Sequence, residues 1–486
     1  MRKNRAIDRT TDTFFATYQQ QRIEHWDRVA VRPARFDQSG YYHRRLGVIF
    51  SFLVSEGQRV IEIGSGNGDL LASLRPSRGV GVDFSPAMVK GASLRHPSLE
   101  FVIADAHALD LNETFDIVIL SDLVNDLWDV QAVLERVLQL CTPTTRIILN
   151  FHNKAWQGPL GLARRLGLAN PVGLQNWLSV QDIRNLLHLS GFDVVTESSE
   201  ILLPMRLGPL SWLFNRVIVK FWPAQNAGLA KFVVARPQVS ALQPPGRELS
   251  VSVIVAARNE AGNIESIVER TPRMGSSTQL IFVEGNSTDD TYDEIERVLA
   301  EKQDENLMLL RQPGEGKGDA VRFGFEHATG DILMILDADM TVAPEELPRF
   351  YAAIADGTAE FVNGVRLVYP MQTEAMRFLN YLGNKFFGLV FSWILRQPVK
   401  DTLCGTKVLT REAYDVITDN RSYFGDFDPF GDFDLLFGAA KSNLKIVDMP
   451  IRYRDRTYGD TNISRWRHGV LLLRMAAFAS RRLRFI

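Results

Sequence analysis

Residues 314–347 restrict the fold of this chain more than any other stretch, because they run through a glycine-rich turn, a helix and a buried strand. Lys317 lies in the turn between two glycines, and residues 319–328 carry apolar side chains at helical spacing. Residues 331–336 (DILMIL) form a short apolar run, the pattern of a strand that is buried on both faces. This order of elements is typical of an α/β fold.

Two carboxylates, Asp337 and Asp339, follow directly after this strand. On an extended backbone residues i and i+2 point the same way, so the two acids repel each other unless a positive group lies beside them. A magnesium ion that is held by both carboxylates and by phosphate oxygens of a substrate meets that need. A solvated turn after the strand is the alternative, and an isolated Asp-x-Asp would favour it.

The chain is too long for a single hydrophobic core, since it has 486 residues. Residues 237–249 include Pro244-Pro245-Gly246 and lack periodicity, which predicts a linker between a domain at 1–236 and a domain at 250–486. Hydrophobic content of 45% is typical of a soluble globular protein, and a net charge of −2 gives no global reason to expect nucleic-acid or membrane binding.

The termini and the cysteines indicate the compartment. Two cysteines argue against a disulfide scaffold and fit a reducing cytoplasm. The basic N-terminus has no apolar run after it, so we expect no signal peptide. No window reaches the ~18 uninterrupted apolar residues of a membrane span.

The first half contains a second glycine-rich turn, at residues 64–68, between a predicted strand at 59–63 and a predicted helix at 69–74. Such a turn lets the backbone approach a ligand closely. The next predicted strand, 79–82, ends at Asp83, which lies about 20 residues past the first glycine, where a carboxylate can hold a ribose. The spacing alone suits NAD equally well.

Further buried strands are predicted at 102–106, 115–120, 146–151 and 231–236. The series resembles the class I S-adenosylmethionine-dependent methyltransferases over about residues 45–236. The resemblance implies S-adenosyl-L-methionine as the cofactor, with Asp83 on the ribose, Phe84 beside the adenine, Asp105 on the adenine amino group and Ser121 near the methionine. It places four residues in the first cofactor-binding motif: Glu62, Gly64, Gly66 and Gly68.

The methyl acceptor is not fixed by the sequence. Transfer to an oxygen usually needs a general base, and Asp122, Asn125 and His152 are the polar groups expected near the strand ends. We expect His152 to be a hydrogen-bonded structural residue. The apolar segment 202–222 could cap the acceptor pocket, lie on a membrane or pack against the domain, and packing is the default expectation. Aromatic residues at helical intervals in 1–56 predict one or two covering helices.

The second half resembles the family 2 glycosyltransferases with the GT-A fold, closest to the polyprenyl-phosphate sugar transferases, from about Ser250 onward. Predicted strands at 251–256 and 279–283 lead into the turns that this family uses for its nucleotide. The resemblance implies that Lys317 contacts the donor diphosphate, that Asp337 contacts the ribose or metal, and that Asp339 binds Mg²⁺ or Mn²⁺. It also assigns the nucleotide-sugar, UDP- or GDP-linked, to Ala257, Glu260, Glu284 and Ser287.

The acceptor side is assigned in the same way. The segment Cys404, Gly405 and Thr406 resembles the acceptor loop of the polyprenyl-phosphate branch, and Asp434 and Arg465 are candidate acceptor contacts. By position Asp432 is the general base of an inverting displacement, or it orients an acceptor phosphate that is already ionised. The alternative for Asp432 is a purely structural role as a helix N-cap. Asn-x-x-Arg-Trp at 462–466 resembles the motif of processive synthases, but their membrane helices are missing, so we expect single-sugar transfer.

We therefore expect two Rossmann-like α/β domains, a class I methyltransferase fold followed by a GT-A fold. The expected function is inverting transfer of one sugar to a polyprenyl phosphate or a glycan, together with methylation of a related intermediate. Residues 470–486 are apolar and then basic, which fits peripheral contact with an anionic membrane surface. A methyltransferase-like half that only binds, or a nucleotide-sensing scaffold without catalysis, remains open.

Overall fold

The computed structural model describes residues 9–31, 37–165, 175–239, 248–368, 378–424, 432–452 and 465–486. The chain forms two compact units. The first contains Met1–Leu242 together with Phe485–Ile486, and the second contains Gln243–Arg484. Within the described ranges no helix is both long enough and apolar enough to cross a membrane.

The first unit is built on a seven-stranded sheet with the order β3-β2-β1-β4-β5-β7-β6. The first five strands are parallel and follow the 3-2-1-4-5 order of doubly wound folds, whereas β7 runs antiparallel to β5 and β6. The strands are β1 (Arg59–Ile63), β2 (Arg78–Asp83), β3 (Glu100–Ile103), β4 (Phe115–Ser121), β5 (Cys141–His152), β6 (Phe192–Glu200) and β7 (Ala230–Pro237).

Helices cover both faces of this sheet. Successive residues of β1 point to opposite sides, so Ile61 packs with α5 and α7 while Val60 packs with α2 and α3. The helices are α1 (Arg9–Ala30), α2 (Asp37–Leu53), α3 (Asp69–Ser73), α4 (Pro86–Arg95), α5 (Val130–Leu138), α6 (Gln157–Arg165), α7 (Val180–Leu189), α8 (Pro209–Arg216) and α9 (Ala224–Ala227).

The second unit has its own seven-stranded sheet, with the order β10-β9-β8-β11-β13-β12-β14. Strands β10, β9, β8 and β11 are parallel, and β13 runs antiparallel to both β11 and β12. The strands are β8 (Val251–Ala257), β9 (Thr278–Glu284), β10 (Leu307–Arg311), β11 (Ile332–Asp337), β12 (Phe361–Val365), β13 (Lys407–Thr410) and β14 (Ile446–Pro450).

The core of the second unit joins this sheet to the helices beside it. Val253 and Val255 of β8 are buried in one cluster with Ile267, Ile295 and Phe350. The helices are α10 (Ile264–Arg270), α11 (Thr291–Lys302), α12 (Lys317–His327), α13 (Leu347–Ala355), α14 (Phe378–Leu395), α15 (Arg411–Asp419), α16 (Asp432–Lys441) and α17 (Arg465–Ala479). Both units are therefore α/β folds of the Rossmann-like kind.

One strand expectation is wrong. Strand β3 ends at Ile103 instead of running to residue 106, because Asp105 accepts a hydrogen bond from the backbone N–H of His107 and caps a 3-10 turn.

The packing expected of segment 202–222 is found for part of it, since Val219 is buried whereas Leu210, Trp212 and Trp222 are exposed. Strands β6, β10, β13 and β14 were not predicted.

Candidate active sites

The glycine-rich turn of the first unit folds as a tight loop after β1. Gly64 (φ 78°), Gly66 (φ 51°) and Gly68 (φ 74°) all have left-handed backbone conformations, which favour glycine. The Gly64 N–H donates to the carbonyl of Val82 at 2.7 Å, which ties the turn to the end of β2. A Cβ at Gly68 would collide with the ring of Phe101. The shape of the loop therefore depends on glycine at these three positions.

Asp83 holds this loop from the end of β2. One carboxylate oxygen accepts from the Gly66 N–H at 2.9 Å, and the other accepts from the Ser85 N–H at 2.9 Å. Burial raises the pKa of Asp83, and these backbone hydrogen bonds oppose the rise. A carboxylate oxygen has two lone pairs, so both oxygens can still accept from a ligand hydroxyl.

Glu62 lies deeper in the first unit and is 3% exposed. Its carboxylate accepts from the Leu71 N–H at 3.1 Å, at the start of α3. Burial raises the pKa of Glu62 to about 8, against a lowering by that hydrogen bond. In this structure Glu62 contacts the backbone of Leu71, so it ties the end of β1 to the helix that follows the glycine loop.

A cavity of about 30 Å³ lies at the carboxyl ends of β1, β2 and β4. Asp83, Phe84 and Asp105 line it, and so do Gly64 and Leu123. The structure therefore brings together the side chains that the sequence assigned to ribose and adenine. Neither Ser121 nor Glu62 is among the lining residues.

Helix α1 contributes residues to this cavity that the sequence did not predict. Tyr18, Gln19 and Arg22 lie in its lining, and Gln19 Nε2 donates to Asp105 Oδ2 at 2.5 Å. Burial would raise the pKa of Asp105, but hydrogen bonds from His107 and Gln19 outweigh it and lower the pKa. The aromatic spacing of α1 predicted a covering helix but not which polar residues reach the pocket.

Polar side chains also meet at the ends of β4 and β5. Asp122 (φ 52°) accepts from Tyr42 Oη at 2.9 Å and from Asn150 Nδ2 at 2.6 Å. His152 Nε2 lies 3.4 Å from the same hydroxyl, and its Nδ1 is buried without a hydrogen-bond partner among the described residues. Asn125 accepts from the His152 backbone N–H at 2.9 Å. Tyr42, which the sequence assigned only to a covering helix, thus joins the acceptor-side cluster.

The second unit has a larger cavity, of about 460 Å³, at the carboxyl ends of β8, β9 and β11. Five residues that the sequence assigned to the donor or metal line it: Ala257, Glu260, Lys317, Asp337 and Asp339. Four further lining residues were not predicted: Arg258, Asn286, Gln312 and Glu315. The apolar run that precedes Gln312, residues 307–311, was a readable signal for β10.

Lys317 and Asp337 form an ion pair inside this cavity, with Nζ 2.5 Å from Oδ1. Lys317 is the first residue of α12, and the preceding Gly316 (φ 86°) makes the sharp entry into the helix. Burial would raise the pKa of Asp337, but Lys317, Arg366 and Lys407 outweigh it and lower the pKa. The positive group that the sequence required beside this acid is therefore supplied by the protein itself.

Asp339 lies in a turn beyond the end of β11, so the two acids are not both on extended backbone as expected. Its Oδ1 accepts from the Thr341 N–H at 3.1 Å and from the Thr341 hydroxyl at 2.7 Å. In the part of the chain that the structure describes, no group of three or more His, Cys, Asp or Glu residues could hold a metal ion. Asp337 and Asp339 both line the cavity, together with Glu260 and Glu315.

Glu284 and Ser287 do not line the cavity, although they shape its rim. Glu284 is 3% exposed and accepts from the Ser287 N–H at 2.6 Å. Ser287 Oγ in turn accepts from the Asn259 N–H at 3.1 Å. Glu260 accepts from Asn263 Nδ2 at 2.7 Å. These residues hold two nucleotide-side turns together, and the neighbouring Asn286 faces the cavity.

The predicted acceptor loop is largely interior. Cys404 and Thr406 are buried, and burial raises the pKa of the Cys404 thiol to about 11. Gly405 lies against the ion pair, because a Cβ there would collide with Lys317 Nζ and the Asp337 carboxylate. None of the three is among the residues that line the cavity. The loop is anchored by Asp401, which is fully buried and accepts from Arg366 Nε at 2.7 Å.

The remaining acceptor assignments fall partly outside the described residues. The backbones of Asp432 and Arg465 begin α16 and α17, and their side chains lie outside the description. The motif at 462–464 also lies outside it. Asp434 is buried and accepts from Arg421 Nε at 3.0 Å, so its carboxylate is engaged within the unit.

Two family models match the chain. The model described as glycosyl transferase family 2 matches residues 252–417, and a methyltransferase domain model matches residues 32–197. Glycosyltransferase AglJ of Haloferax volcanii is 29% identical over 225 residues, which are 46% of this chain and 69% of AglJ. The dolichol-phosphate mannosyltransferase of Pyrococcus furiosus is 25% identical over 44% of this chain and 59% of its own length.

An undecaprenyl-phosphate 4-deoxy-4-formamido-L-arabinose transferase of Klebsiella pneumoniae is 24% identical over 46% of this chain and 64% of its own length. The chain thus spans less than two thirds of the last two relatives. Among solved structures, glucosyl-3-phosphoglycerate synthase of Mycobacterium tuberculosis has a TM-score of 0.36 at 18% identity, covering 48% of this chain and 80% of that one. A methyltransferase of Thermotoga maritima has a TM-score of 0.31 at 16% identity, covering 40% and 90%. The chain joins two enzyme domains, a methyltransferase domain at residues 32–197 and a family 2 glycosyltransferase domain at residues 252–417.

Proposed function

We propose that this protein is a bifunctional enzyme, which transfers one sugar from a nucleotide-sugar to an acceptor with inversion and methylates a related intermediate with S-adenosyl-L-methionine. The observation that carries the glycosyl transfer is the meeting of Lys317, Asp337 and Asp339 at one cavity of about 460 Å³. A cavity at the carboxyl edge of parallel strands is the usual place for a nucleotide in such folds.

The donor diphosphate is proposed to lie between Arg258 and Lys317, the two cationic side chains of the cavity lining. Lys317 also begins α12, where backbone N–H groups and the helix dipole favour an anion. Asp337 and Asp339 fit a divalent cation, Mg²⁺ or Mn²⁺, because such ions are held by one or two carboxylates plus substrate phosphate oxygens. A bound cation would offset charge on the leaving diphosphate.

The sugar acceptor is proposed to be a polyprenyl phosphate, with a glycan as the second candidate. The support comes from the names of two relatives, which act on dolichol phosphate and undecaprenyl phosphate. The predicted acceptor loop approaches the Lys317–Asp337 pair at Gly405, where a side chain would collide with both residues. Asp432 is proposed to orient the acceptor phosphate, which needs no general base because it is already ionised.

Methyl transfer is proposed for the cavity of the first unit. The residues fit S-adenosyl-L-methionine, since one carboxylate oxygen of Asp83 holds the glycine loop at Gly66 and Asp105 lines the same cavity. This cofactor supplies an electrophilic methyl group when it is bound. Tyr42, Asp122 and His152 are proposed to receive the methyl acceptor, because they cluster at the ends of β4 and β5.

Peripheral contact with an anionic membrane from the cytoplasmic side is proposed for the second unit. Val470 and Leu473 are exposed on α17, and Arg474, Arg481 and Arg482 are exposed beside or after them. Apolar residues flanked by arginines suit the interface of an anionic bilayer. Deleting residues 481–486 should reduce co-sedimentation with anionic liposomes, and unchanged binding would favour a helix that only packs on its unit.

A calorimetric titration of the whole chain tests the two activities separately. UDP and GDP are titrated with Mg²⁺ or Mn²⁺, and S-adenosyl-L-methionine is titrated in a parallel run. Metal-dependent binding of one nucleotide, beside independent binding of S-adenosyl-L-methionine, supports both sites. Binding of S-adenosyl-L-methionine without methyl transfer would favour a first unit that only binds. If neither nucleotide binds with metal present, the donor assignment of Asp337 and Asp339 is wrong.

A further inference from the structure

Helix α8 (Pro209–Arg216) of the first unit has its polarity reversed. Ser211 and Asn215 are 2% and 1% exposed, whereas Leu210 and Trp212 are 54% and 56% exposed. A helix on the surface of a globular unit normally buries its apolar face. Here the polar residues face the unit and the large apolar residues face outward.

The inward polar side chains hold α8 firmly in this orientation. Asn215 Oδ1 accepts from the N–H groups of Leu202 and Leu203, both at 2.7 Å, and Asn215 Nδ2 donates to Tyr41 Oη at 2.9 Å. Ser211 Oγ donates to the carbonyl of Met205 at 2.6 Å. Turning the helix to bury Trp212 would break these hydrogen bonds and leave buried polar groups without partners, which is unfavourable.

The exposed apolar residues continue on both sides of α8. Trp222 is 81% exposed, and we call the whole set the apolar surface of the first unit. Scattered single hydrophobic residues are normal on protein surfaces, but a concentration within 18 residues of chain marks an interaction site. The apolar surface consists of Met205, Leu207, Leu210, Trp212, Leu213, Phe221 and Trp222.

The segment that carries the apolar surface has charged residues of one sign. Residues 201–247 contain no aspartate or glutamate. Arg206 and Arg216 are exposed beside the apolar residues, and Arg216 Nε donates to the carbonyl of Phe485 at 3.0 Å. The segment's other basic residue before β7, Lys220, is buried and pairs with Glu200, so it adds no surface charge.

We infer that the apolar surface of the first unit docks this protein on an anionic lipid bilayer. Tryptophan side chains favour the level of the lipid headgroups, leucine side chains enter the acyl boundary, and arginines pair with lipid phosphates. The positive charge of this segment matches an anionic bilayer. The residues of this docking site differ from those proposed on α17, and the inference goes beyond the proposed reactions because it holds whichever molecule accepts the sugar.

Vesicle binding of the full-length protein tests the inference. On vesicles of mixed phosphatidylglycerol and phosphatidylcholine, the double variant Trp212→Glu/Trp222→Glu should bind at least tenfold more weakly than the wild type. Leu189→Glu is the matched control, since Leu189 is 57% exposed on α7 of the same unit, and it should bind within about twofold of the wild type. Vesicles of phosphatidylcholine alone should bind much less, and added salt should weaken binding to the anionic ones.

A second measurement separates insertion from charge attraction. Brominated lipid should quench tryptophan fluorescence of the wild type, and the quenching should fall in Trp212→Phe/Trp222→Phe, which keeps the surface apolar. Equal vesicle binding of the wild type and the double Glu variant would overturn the inference. So would a wild-type dimer that the double Glu variant converts to a monomer in sedimentation velocity, because the occupant would then be a second copy. Melting temperature and S-adenosyl-L-methionine binding check that the variants are folded, and nucleotide binding checks the proposed glycosyl transfer independently.

Discussion

Lys317 Nζ lies 2.5 Å from Asp337 Oδ1, so the cation assigned to the donor diphosphate is paired with one of the acids assigned to the metal. The pair lies where β11 ends and α12 begins. A donor diphosphate and its metal would each bind one member of this pair. Lys317 is also the largest of the groups that lower the pKa of Asp337, so removing it would raise that pKa.

Lys317→Met should weaken binding of the preferred nucleotide diphosphate at least tenfold. It removes a charge-assisted contact to phosphate, worth about 1.5–3 kcal/mol. It should also raise the pKa of Asp337, because Lys317 is the largest of the groups that lower it. Calorimetric titration measures the affinity, and Lys302→Met, at an exposed lysine of α11, is the control. An unchanged affinity would show that Lys317 serves only to neutralise Asp337.

Asp339→Ala should lower sugar transfer by about 10²-fold or more, because it removes one of two carboxylates offered to the metal. Binding of S-adenosyl-L-methionine should stay unchanged, since that site lies in the other unit. Turnover of the nucleotide-sugar and calorimetry of the cofactor measure the two effects. Asp415→Ala, at an exposed position of α15, is the control. Parallel loss of both activities would contradict the modular arrangement.

Asp83→Ala should have the reverse effect. The affinity for S-adenosyl-L-methionine should fall more than tenfold, because the variant loses the proposed contact to the ribose and the hydrogen bonds from the N–H groups of Gly66 and Ser85. Nucleotide binding at the second unit should not change. Asp110→Ala, at an exposed acid of the first unit, is the control. The ribose assignment would not survive an unchanged cofactor affinity in the Asp83 variant.

Asp401→Asn should destabilise the second unit by about 3–5 kcal/mol near neutral pH, since it leaves Arg366 with an uncompensated charge. Burial alone would raise the pKa of Asp401, but Arg366 and backbone N–H groups lower it below the ordinary 3.8. The stability from this pair is present above pH 3.8 and is lost as the pH falls through the folded-state pKa.

The difference between the wild type and Asp401→Asn should therefore shrink in acid. Urea unfolding at about pH 7 and about pH 3 measures it. Asp415→Asn should show no difference at either pH. A gap that stays constant with pH would mean that Asp401 acts through packing and hydrogen bonding and not through its charge.

Glu62→Gln should flatten the pH dependence of stability of the first unit. Burial raises the folded-state pKa of Glu62 from 4.5 to about 8. The contribution of Glu62 to the free energy of unfolding is fully present below pH 4.5 and declines as the pH rises to about 8. The slope of this decline is up to about 1.4 kcal/mol per pH unit. Glutamine keeps an acceptor for the Leu71 N–H and removes the ionisation. Melting temperatures across this range measure the effect, and the exposed Glu56→Gln should retain the wild-type slope.

The sequence predicted the strands whose carboxyl ends carry the two sites. Buried parallel strands appear as uninterrupted apolar runs, and β1 has the predicted bounds while β4 and β11 differ by one residue. The sequence also predicted Asp83 at the end of β2 and Asp337 at the end of β11, because each acid follows an apolar run directly. The edge strands β6 and β14 were harder to predict, because they are partly exposed and have no continuous apolar run.

Contacts between residues that are far apart in the chain could not be predicted from the sequence. Gln19 reaches Asp105 because α1 crosses the cavity, and nothing local to either residue encodes that crossing. The same holds for α8, because the side of the helix that faces the unit depends on the hydrogen bonds of Asn215 with Leu202, Leu203 and Tyr41. Periodicity identified an apolar segment there, but the polar residues between its leucines decided which side faces the unit.

The two sheets lie on one polypeptide, and this determines how many copies of each site a cell contains. One translation event yields one copy of each, so their ratio stays at unity whatever the expression level. Quality control also acts on the whole chain, since a substitution that unfolds one unit exposes the other to the same proteolysis. A loss of about 1–2 kcal/mol in either sheet would thus lower the abundance of both sites together.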